Sequence, residues 1–521
     1  MAASERRRRL ARSTVIFAAA TGVSRVLGFV REIVTAYFFG VRGAINAFEV
    51  AFLVPNTVRA LVADQALAAA FVPVFSELLA KGERARAWRI ASTVFWLMLL
   101  GLGGLTALFT LLAPWVMPAL FPAYDEDLLV SLSRLLFPTV VLLGVSGVIV
   151  GILNSYEHFA VPALAPVFWN LAIIVGVAVG VPRADATDTK LQIYALSILV
   201  GTVIQVLLPV PWLRGRDGRL RLLLDVRDPA VKHIFVLMVP VTLALGLINF
   251  NALVDGLFAA RLVDPNVAPA AINKAFRLYM LPQGIFSVAV ATVLFPALSR
   301  LAALGDTEGF LRTTNAGLRQ IAFLLVPASF AAAVLSEPIV RLVYERGQFT
   351  SDQTPVVAGA LAAFAFGLTF NGTMLMLNRA FFSLQIPWLP TWVAVANLGV
   401  NAALDALFYR LGVWGIPLST SLVNVAGTAA LLYLLRRRLG HIDLRETGRS
   451  TGRIVLASCA LAAVAFAVWY LLDAALGRSL PAQIVSIGVA LTLGGGAYLL
   501  ACRLLGVAEL QALLSLRRGR S

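Results

Sequence analysis

Charge is scarce in this chain. Asp, Glu, Lys and Arg make up 13% of its 521 residues, where a soluble globular domain carries about 25%. Cysteine and histidine are scarcer still, at two and three residues. Cys459 and Cys502 both lie in apolar stretches, which excludes a disulfide framework and metal-ligand spacing. A Walker A loop, H-E-x-x-H and G-x-S-x-G are all missing, and no nucleophile–base set or paired acids declare themselves. The sequence therefore points away from enzyme chemistry and from ATP-driven pumping. Acids are the rarer charge, 27 against 43 Lys and Arg, for a net charge of +16. The basic runs have no interleaved aromatics and no nucleic-acid motif, so the excess reads as loop cations under the positive-inside rule.

What is present is apolar length. The chain is 60% hydrophobic, with a mean hydropathy of +0.86. Runs of roughly 18 or more apolar residues recur almost throughout, the signature of membrane helices. They are continuous, not alternating, which excludes a β-barrel. The fold class is an all-α polytopic membrane protein with about fourteen spans. Arg6–Arg9 and Arg12 precede the first span. Only about ten residues separate Arg12 from Arg25, too few for a cleaved signal sequence, so the first helix is expected to be retained with a cytoplasmic N-terminus.

Alternating sides from that terminus places roughly 28 basic residues inside and about 8 outside, with both termini cytoplasmic. The expected layout is a basic N-terminus at 1–12, a first lobe at 13–213 with spans 1–6, and a basic cytoplasmic linker at 214–231. A second lobe follows at 232–435 with spans 7–12, then a basic loop at 436–452, spans 13 and 14 at 453–505, and a cytoplasmic C-terminus at 506–521. The second, eighth and tenth spans are long enough to tilt or break, with Pro55, Pro73, Pro282 and Pro296 as break points.

An internal repeat supports two lobes. Phe71-Val-Pro73-Val-Phe-Ser76 matches Phe295-Pro296-Ala-Leu-Ser299, and Gly82 matches Gly305. Leu153-Asn154 matches Leu377-Asn378, Val161-Pro162 matches Ile386-Pro387, and Asn170 matches Asn397. The constant offset crosses an even number of spans, so the copies are parallel. Repeats of that kind form two lobes around an axis along the membrane normal, with a substrate site between them.

The residues with chemistry to offer are cations in apolar surroundings. Arg25 and Arg31 lie in the first span, Arg59 in the second and Arg277 in the eighth. A guanidinium at bilayer depth is costly and usually faces a wet cavity or a partner. Its planar fork suits a diphosphate. Glu32, Glu49, Asp64 and Lys274, with Asn46, are candidates for balancing charge around these arginines, and Arg59–Asp64 also reads as a structural pair. A second constellation is Asp255, Asn401, Asp405 and Thr420. Its carboxylate, amide and hydroxyl oxygens make a candidate Na⁺ site, and Asn401 and Asp405 share a helix face.

Ser24-Arg25-Val-Leu-Gly28-Phe29 with Arg31-Glu32 resembles the first-helix signature of the MurJ (MviN) lipid II flippase family. Pro55-Asn56, Arg59 and Ala70-Phe71-Val-Pro73 resemble its second helix. Arg277-Leu-Tyr-Met-Leu-Pro282-Gln-Gly284 and Leu294-Phe295-Pro296-Ala-Leu-Ser299 resemble its eighth. Gly151-Ile-Leu-Asn154 and Gly347-Gln-Phe349-Thr350 also fit. The resemblance implies the multidrug/oligosaccharidyl-lipid/polysaccharide exporter fold and alternating access. The implied substrate is lipid II, an undecaprenyl diphosphate bearing the disaccharide-pentapeptide, moved across a bacterial plasma membrane for cell-wall synthesis. It implies Arg25, Arg31, Arg59 and Arg277 as the substrate-binding residues, no cofactor, and Na⁺ or the membrane potential as energy source. Spans 13 and 14 would form a groove for the lipid tail, where Gly494–Gly496 permit close backbone approach. Cell-wall synthesis proteins are the expected partners besides lipid II. The chain departs from the family at Asn46, where an acid is usual, and Glu49 lies one turn on along the same face. Two other readings remain: another exporter of the superfamily, carrying a different lipid-linked glycan or a drug, and a non-transporting cell-wall scaffold.

Overall fold

The computed structural model describes residues 2–62, 65–440 and 444–511. Among these residues the chain is helical throughout, with no strand. In order the helices are α1 (Ala2–Phe39), α2 (Ile45–Val62), α3 (Gln65–Ala80), α4 (Arg84–Leu120), α5 (Glu126–Leu136) and α6 (Pro138–Ser155). They continue with α7 (Ala160–Gly180), α8 (Thr187–Leu207), α9 (Pro229–Phe258), α10 (Ala268–Pro282), α11 (Val288–Ala303) and α12 (Thr307–Val334). The last six are α13 (Ser336–Tyr344), α14 (Thr354–Ser383), α15 (Trp388–Phe408), α16 (Gly415–Leu439), α17 (Leu444–Leu476) and α18 (Leu480–Leu504). Among the described residues, eleven helical runs are long and apolar enough to cross a membrane.

The expected break points need correction. The second expected span is two helices, α2 and α3, yet Pro55 and Pro73 sit inside them without ending either. Pro296 likewise lies within α11. Only Pro282 coincides with a change of geometry, where α10 passes into a π-helical turn at Gln283–Ser287 before α11. A widened turn relieves the clash and the lost N–H that proline imposes. The tenth span, α14, runs unbroken for 30 residues. The fourth span is two helices that meet at Phe137, with Pro138 at the first helical position of α6, where its missing N–H costs nothing. The short helix α13 had no counterpart in the sequence reading.

The repeat is visible as turn geometry. Gly82 and Gly305 both have positive φ (79° and 69°) and close the same αL cap. Glu83 N–H donates to Leu78 O in one copy and Asp306 N–H to Leu301 O in the other. Glu157 and Gln385 repeat the pattern at φ 58°, with His158 N–H on Leu153 O and Ile386 N–H on Phe381 O. Non-glycine residues rarely adopt this region, so a matched pair at corresponding positions marks the same helix ending built twice.

The chain divides into two compact units, Met1–Arg261 with Pro265–Pro269, and Leu262–Asp264 with Ala270–Ser521. In the first, Phe71, Phe75, Trp88, Phe137 and Ile152 anchor a buried apolar cluster that joins α3, α4, α6 and the start of α9. Gly151 allows α6 to meet α3, because a Cβ there would lie 2.8 Å from the Phe71 ring. In the second unit, α14 and α16 touch at Gly367, where a Cβ would come 2.7 Å from the Ser421 Cα. Across that seam the Ser421 hydroxyl donates to Ala363 O (2.7 Å) and the Thr428 hydroxyl to Phe370 O (2.9 Å). Small residues and interhelical hydroxyl bonds are how apolar helices associate where lipid offers no hydrophobic gain. Gly494 does the same between α18 and α17, with a Cβ 2.9 Å from Ala465 Cβ, whereas Gly495 and Gly496 face open space. Arg319 of α12 ties the α17–α18 pair down, at 2.7 Å to Glu446 and 3.0 Å to Glu509. Arg341 of α13 pairs with Asp473 of α17.

In the first unit the segment after α8 is strapped to α4. Arg84 meets Asp217 at 3.0 Å, and Arg86 forks onto both oxygens of Asp228 at 2.9 and 3.0 Å. The Arg86 bonds hold the Asp228 carboxyl below its ordinary range, assisted by the Ala230 N–H it caps. An acid with a depressed folded value contributes stability above its unfolded pKa, near 3.9, and loses it as pH falls through the folded value. Asp228→Asn is therefore expected to speed amide exchange of residues 214–228 at about pH 7, with the gap to the parent protein closing at about pH 3. Hydrogen–deuterium exchange at both pH values checks this.

Candidate substrate site

The first helix carries its two candidate arginines differently. Arg31 is drawn inward, its side chain 12% exposed. It pairs with Glu32 at 2.7 Å and donates to Asn170 Oδ1 at 3.2 Å. Its guanidinium carbon lies 4.7 Å from the centre of the Trp169 ring. Asn170 is oriented in turn by Pro166 O, to which its amide donates at 2.9 Å. A buried guanidinium needs such compensation, because an uncompensated charge in a low-dielectric interior costs several kcal/mol, on the order of 3–5 when a partner is removed. Arg25, six residues earlier, is exposed, and among the described residues no ion pair holds it.

Arg59, in the last turn of α2, folds back on its own helix. Its Nε and Nη2 donate to Asn56 Oδ1 at 3.3 and 2.9 Å. Its expected partner Asp64 lies outside the described residues. In the second unit, Arg277 Nε donates to Asn273 Oδ1 at 3.2 Å, again one turn back. Lys274 is buried, 3% exposed, with its ammonium 5.8 Å from the Tyr344 ring centre. Arg25, Arg31 and Arg59 thus belong to the first unit, and Arg277 and Lys274 to the second.

Asn46 is completely buried. Its amide nitrogen lies 3.0 Å from Val41 O, 3.0 Å from Gly43 O and 2.6 Å from Asn266 O. The Gly43 N–H also donates to Asn266 O, at 2.9 Å, and the Tyr124 hydroxyl donates to Pro265 O at 2.8 Å. Gly43 has φ +77°, the left-handed backbone that brings its carbonyl round to the amide. Asn46 therefore works as a donor that fastens residues 265–269 to the α1–α2 turn. Three carbonyl oxygens can accept from an amide but repel a carboxylate.

The oxygen-rich constellation is drawn from three helices, α9, α15 and α16. Asn401 and Asp405 are both fully buried on α15, and the Asn401 amide donates to Asp405 Oδ2 at 3.1 Å. The Thr420 hydroxyl on α16 reaches Ile416 O at 3.3 Å. Asp255 is on α9 of the first unit. Carboxylate, amide and hydroxyl oxygens are the donors a hard monovalent cation prefers.

Sequence reasoning missed Trp169 and the role of Asn170. Asn170 had surfaced only as a repeat match to Asn397, whose amide instead sits 3.8 Å from Met374 Sδ. A polar residue in an otherwise apolar span was the available signal.

Helical architecture throughout the described residues, with eleven runs long and apolar enough to cross a membrane, defines a polytopic membrane protein. A family model described as lipid II flippase MurJ matches residues 35–490. The chain belongs to that family. It is 29% identical over 517 residues to a probable lipid II flippase MurJ of Vibrio cholerae, covering 96% of this chain and 97% of that protein. It is 30% identical over 432 residues to the lipid II flippase MurJ of Burkholderia cenocepacia, covering 81% and 82%. Among solved structures, a lipid II flippase MurJ in an inward closed conformation superposes with a TM-score of 0.76 at 24% identity, covering 93% of this chain and 98% of that one. An inward-facing multidrug resistance MATE transporter reaches a TM-score of 0.69 at 15% identity, covering 82% and 98%. Both structural likenesses concern the fold.

Asn46→Asp tests the fastening directly. A carboxylate facing three carbonyls has its folded pKa raised, so the penalty is absent below the ordinary carboxyl range near 3.9 and grows as pH rises. The variant is expected to melt below the parent at about pH 8, with the difference shrinking toward about pH 5. Thermal unfolding followed at the two pH values is the measurement, and a gap independent of pH would contradict it.

Proposed function

We propose that this protein carries lipid II, the undecaprenyl diphosphate-linked peptidoglycan precursor, from the inner to the outer leaflet of a bacterial plasma membrane by alternating access. The family membership of the chain supports the cargo. The observation that carries the chemistry is Arg25: an exposed guanidinium on α1, the same helix as an Arg31 whose charge is already compensated. The diphosphate is held by Arg25, Arg59 and Arg277, while Arg31, Glu32 and Asn170 brace the helix that presents Arg25. Guanidinium forks donate paired hydrogen bonds to phosphate oxygens, and binding replaces water lost from both charges. Glu32 and Glu49 keep the local balance short of a fixed anion trap, so the head group can leave.

The drive falls to gradients. Moving a net anion outward down a potential that is negative inside gains about 2.3 kcal/mol per charge per 100 mV. Asp405, Asn401, Thr420 and Asp255 are the residues that would hold Na⁺ if a cation is coupled, their oxygens matching its chemistry. Both termini lie on the cytoplasmic side, and cell-wall synthesis proteins are the partners to which the released precursor passes.

The test is complementation of flippase-depleted cells at equal expression. Arg25→Ala and Arg277→Ala are expected to abolish growth, and Arg25→Lys to restore it only partly, because an ammonium keeps charge but lacks the fork. Full growth with both alanine variants would sink the proposal and favour a scaffold, which needs no cavity cations.

A further inference from the structure

Residues 214–228 follow a path fixed by α4. Gly218 crosses Trp88 so closely that a Cβ there would lie 2.3 Å from the indole ring. Further on, the Arg221 N–H donates to Ser92 Oγ and the Asp225 N–H to Thr93 Oγ1, both at 3.0 Å. The Trp96 indole N–H donates to Arg221 O at 2.8 Å. The segment then returns to the start of α4, where Arg86 holds Asp228. It thus rises along α4 from Trp88 to Trp96, about 12 Å at 1.5 Å per residue, and comes back.

The outer side of this loop is apolar. Leu222 is 84% exposed, Leu224 51% and Val226 58%. They alternate with Leu223 and Asp225, which are partly buried, and Leu220 packs on the apolar cluster. Isolated exposed leucines are ordinary, but a row of three large aliphatic side chains on a pinned backbone is a patch. Exposed Arg219, Arg221 and Arg227 flank it, and no ion pair holds them among the described residues. Beyond Trp96 the exposed face of α4 is also apolar, at Leu100, Leu105, Leu108 and Leu111. The loop therefore reaches α4 at Trp96, about one turn before the exposed apolar stretch of that helix begins at Leu100.

We infer that residues 220–226 are a membrane wedge. Leu222, Leu224 and Val226 enter the headgroup–acyl boundary of the adjoining leaflet, and the flanking arginines meet the phosphates of anionic phospholipids. The inference rests on reading the chain as membrane-embedded, not on its cargo. Apolar side chains flanked by cations are the chemistry that binds such an interface, with the long arginine stems reaching back to the headgroups. Each cation near an anionic surface strengthens the attachment. A loop held by α4 on one side and by lipid on the other is not a free tether. It sets the depth of the first unit and carries the chain into α9 at a fixed level.

The experiment is site-directed spin labelling in the full-length protein, with Cys459→Ser and Cys502→Ala as background. Nitroxides are placed singly through Leu222→Cys and Leu224→Cys, and the protein is reconstituted in phosphatidylethanolamine–phosphatidylglycerol vesicles. Leu108→Cys is the lipid-facing reference. Glu308→Cys, at a site 81% exposed near the start of α12, is the aqueous one. The expected result is loss of collisions with a water-soluble nickel complex at both loop sites while collisions with oxygen persist, as at Leu108. Nickel accessibility equal to that at Glu308 overturns the wedge, as does loss of both relaxants, which would mean a protein surface covers the row. The labels sit on exposed side chains, so folding is preserved. The readout needs no transport, so its failure is separable from failure of the flippase reading.

Discussion

A positive charge inside a low-dielectric helix bundle must be compensated, and the first unit is arranged around that requirement. Arg31 draws on three kinds of partner at once: the Glu32 carboxylate, the Asn170 carbonyl and the face of Trp169. Together they fix α1 against α7, and Gly28 sits where a Cβ would be 3.7 Å from Asn170 Oδ1. With Arg31 neutralised by the protein, the helix presents Arg25 rather than hiding it.

The same logic explains Asn46. Where an amide donor serves three carbonyls, the chain gains a fastening that needs no proton. An acid in the same place would have to be protonated to make even one of those bonds. The buried polar groups of the unit thus include a neutral donor that ties backbone together, Asn46, and a charged pair, Arg31 with Glu32. A shared fold with drug exporters sets none of this, since folds host many functions and the site decides which one is carried out.

Much of the fold was legible from periodicity and composition. Continuous apolar runs gave an all-helical membrane protein, and a constant sequence offset gave the repeat, later seen as matched αL caps at Gly82 and Gly305 and at Glu157 and Gln385. Proline was a poor guide to breaks. Pro55, Pro73 and Pro296 are absorbed within helices, which membrane helices tolerate where neighbouring groups satisfy the freed carbonyls. The site was legible in its cations and not in their partners. Arg31 is compensated by Asn170, which is 139 residues away in sequence, and only the tertiary approach of α1 and α7 reveals it. The strapping of residues 214–228 along α4 escaped for a similar reason. A basic linker looks like solvent-exposed chain until Ser92, Thr93 and Trp96 are seen to hold its backbone.

The central claim is that the exposed Arg25 guanidinium, with the half-buried Arg59 and Arg277, recognises a lipid-linked diphosphate. The most direct measurement is native mass spectrometry of the purified protein, titrated with lipid II and with the same lipid-linked sugar-peptide joined through a single phosphate. The account predicts clearly weaker binding of the monophosphate form by the parent protein, and a much smaller difference in Arg25→Ala. Equal affinity for the two lipids in the parent protein, or an unchanged preference in the variant, would contradict it.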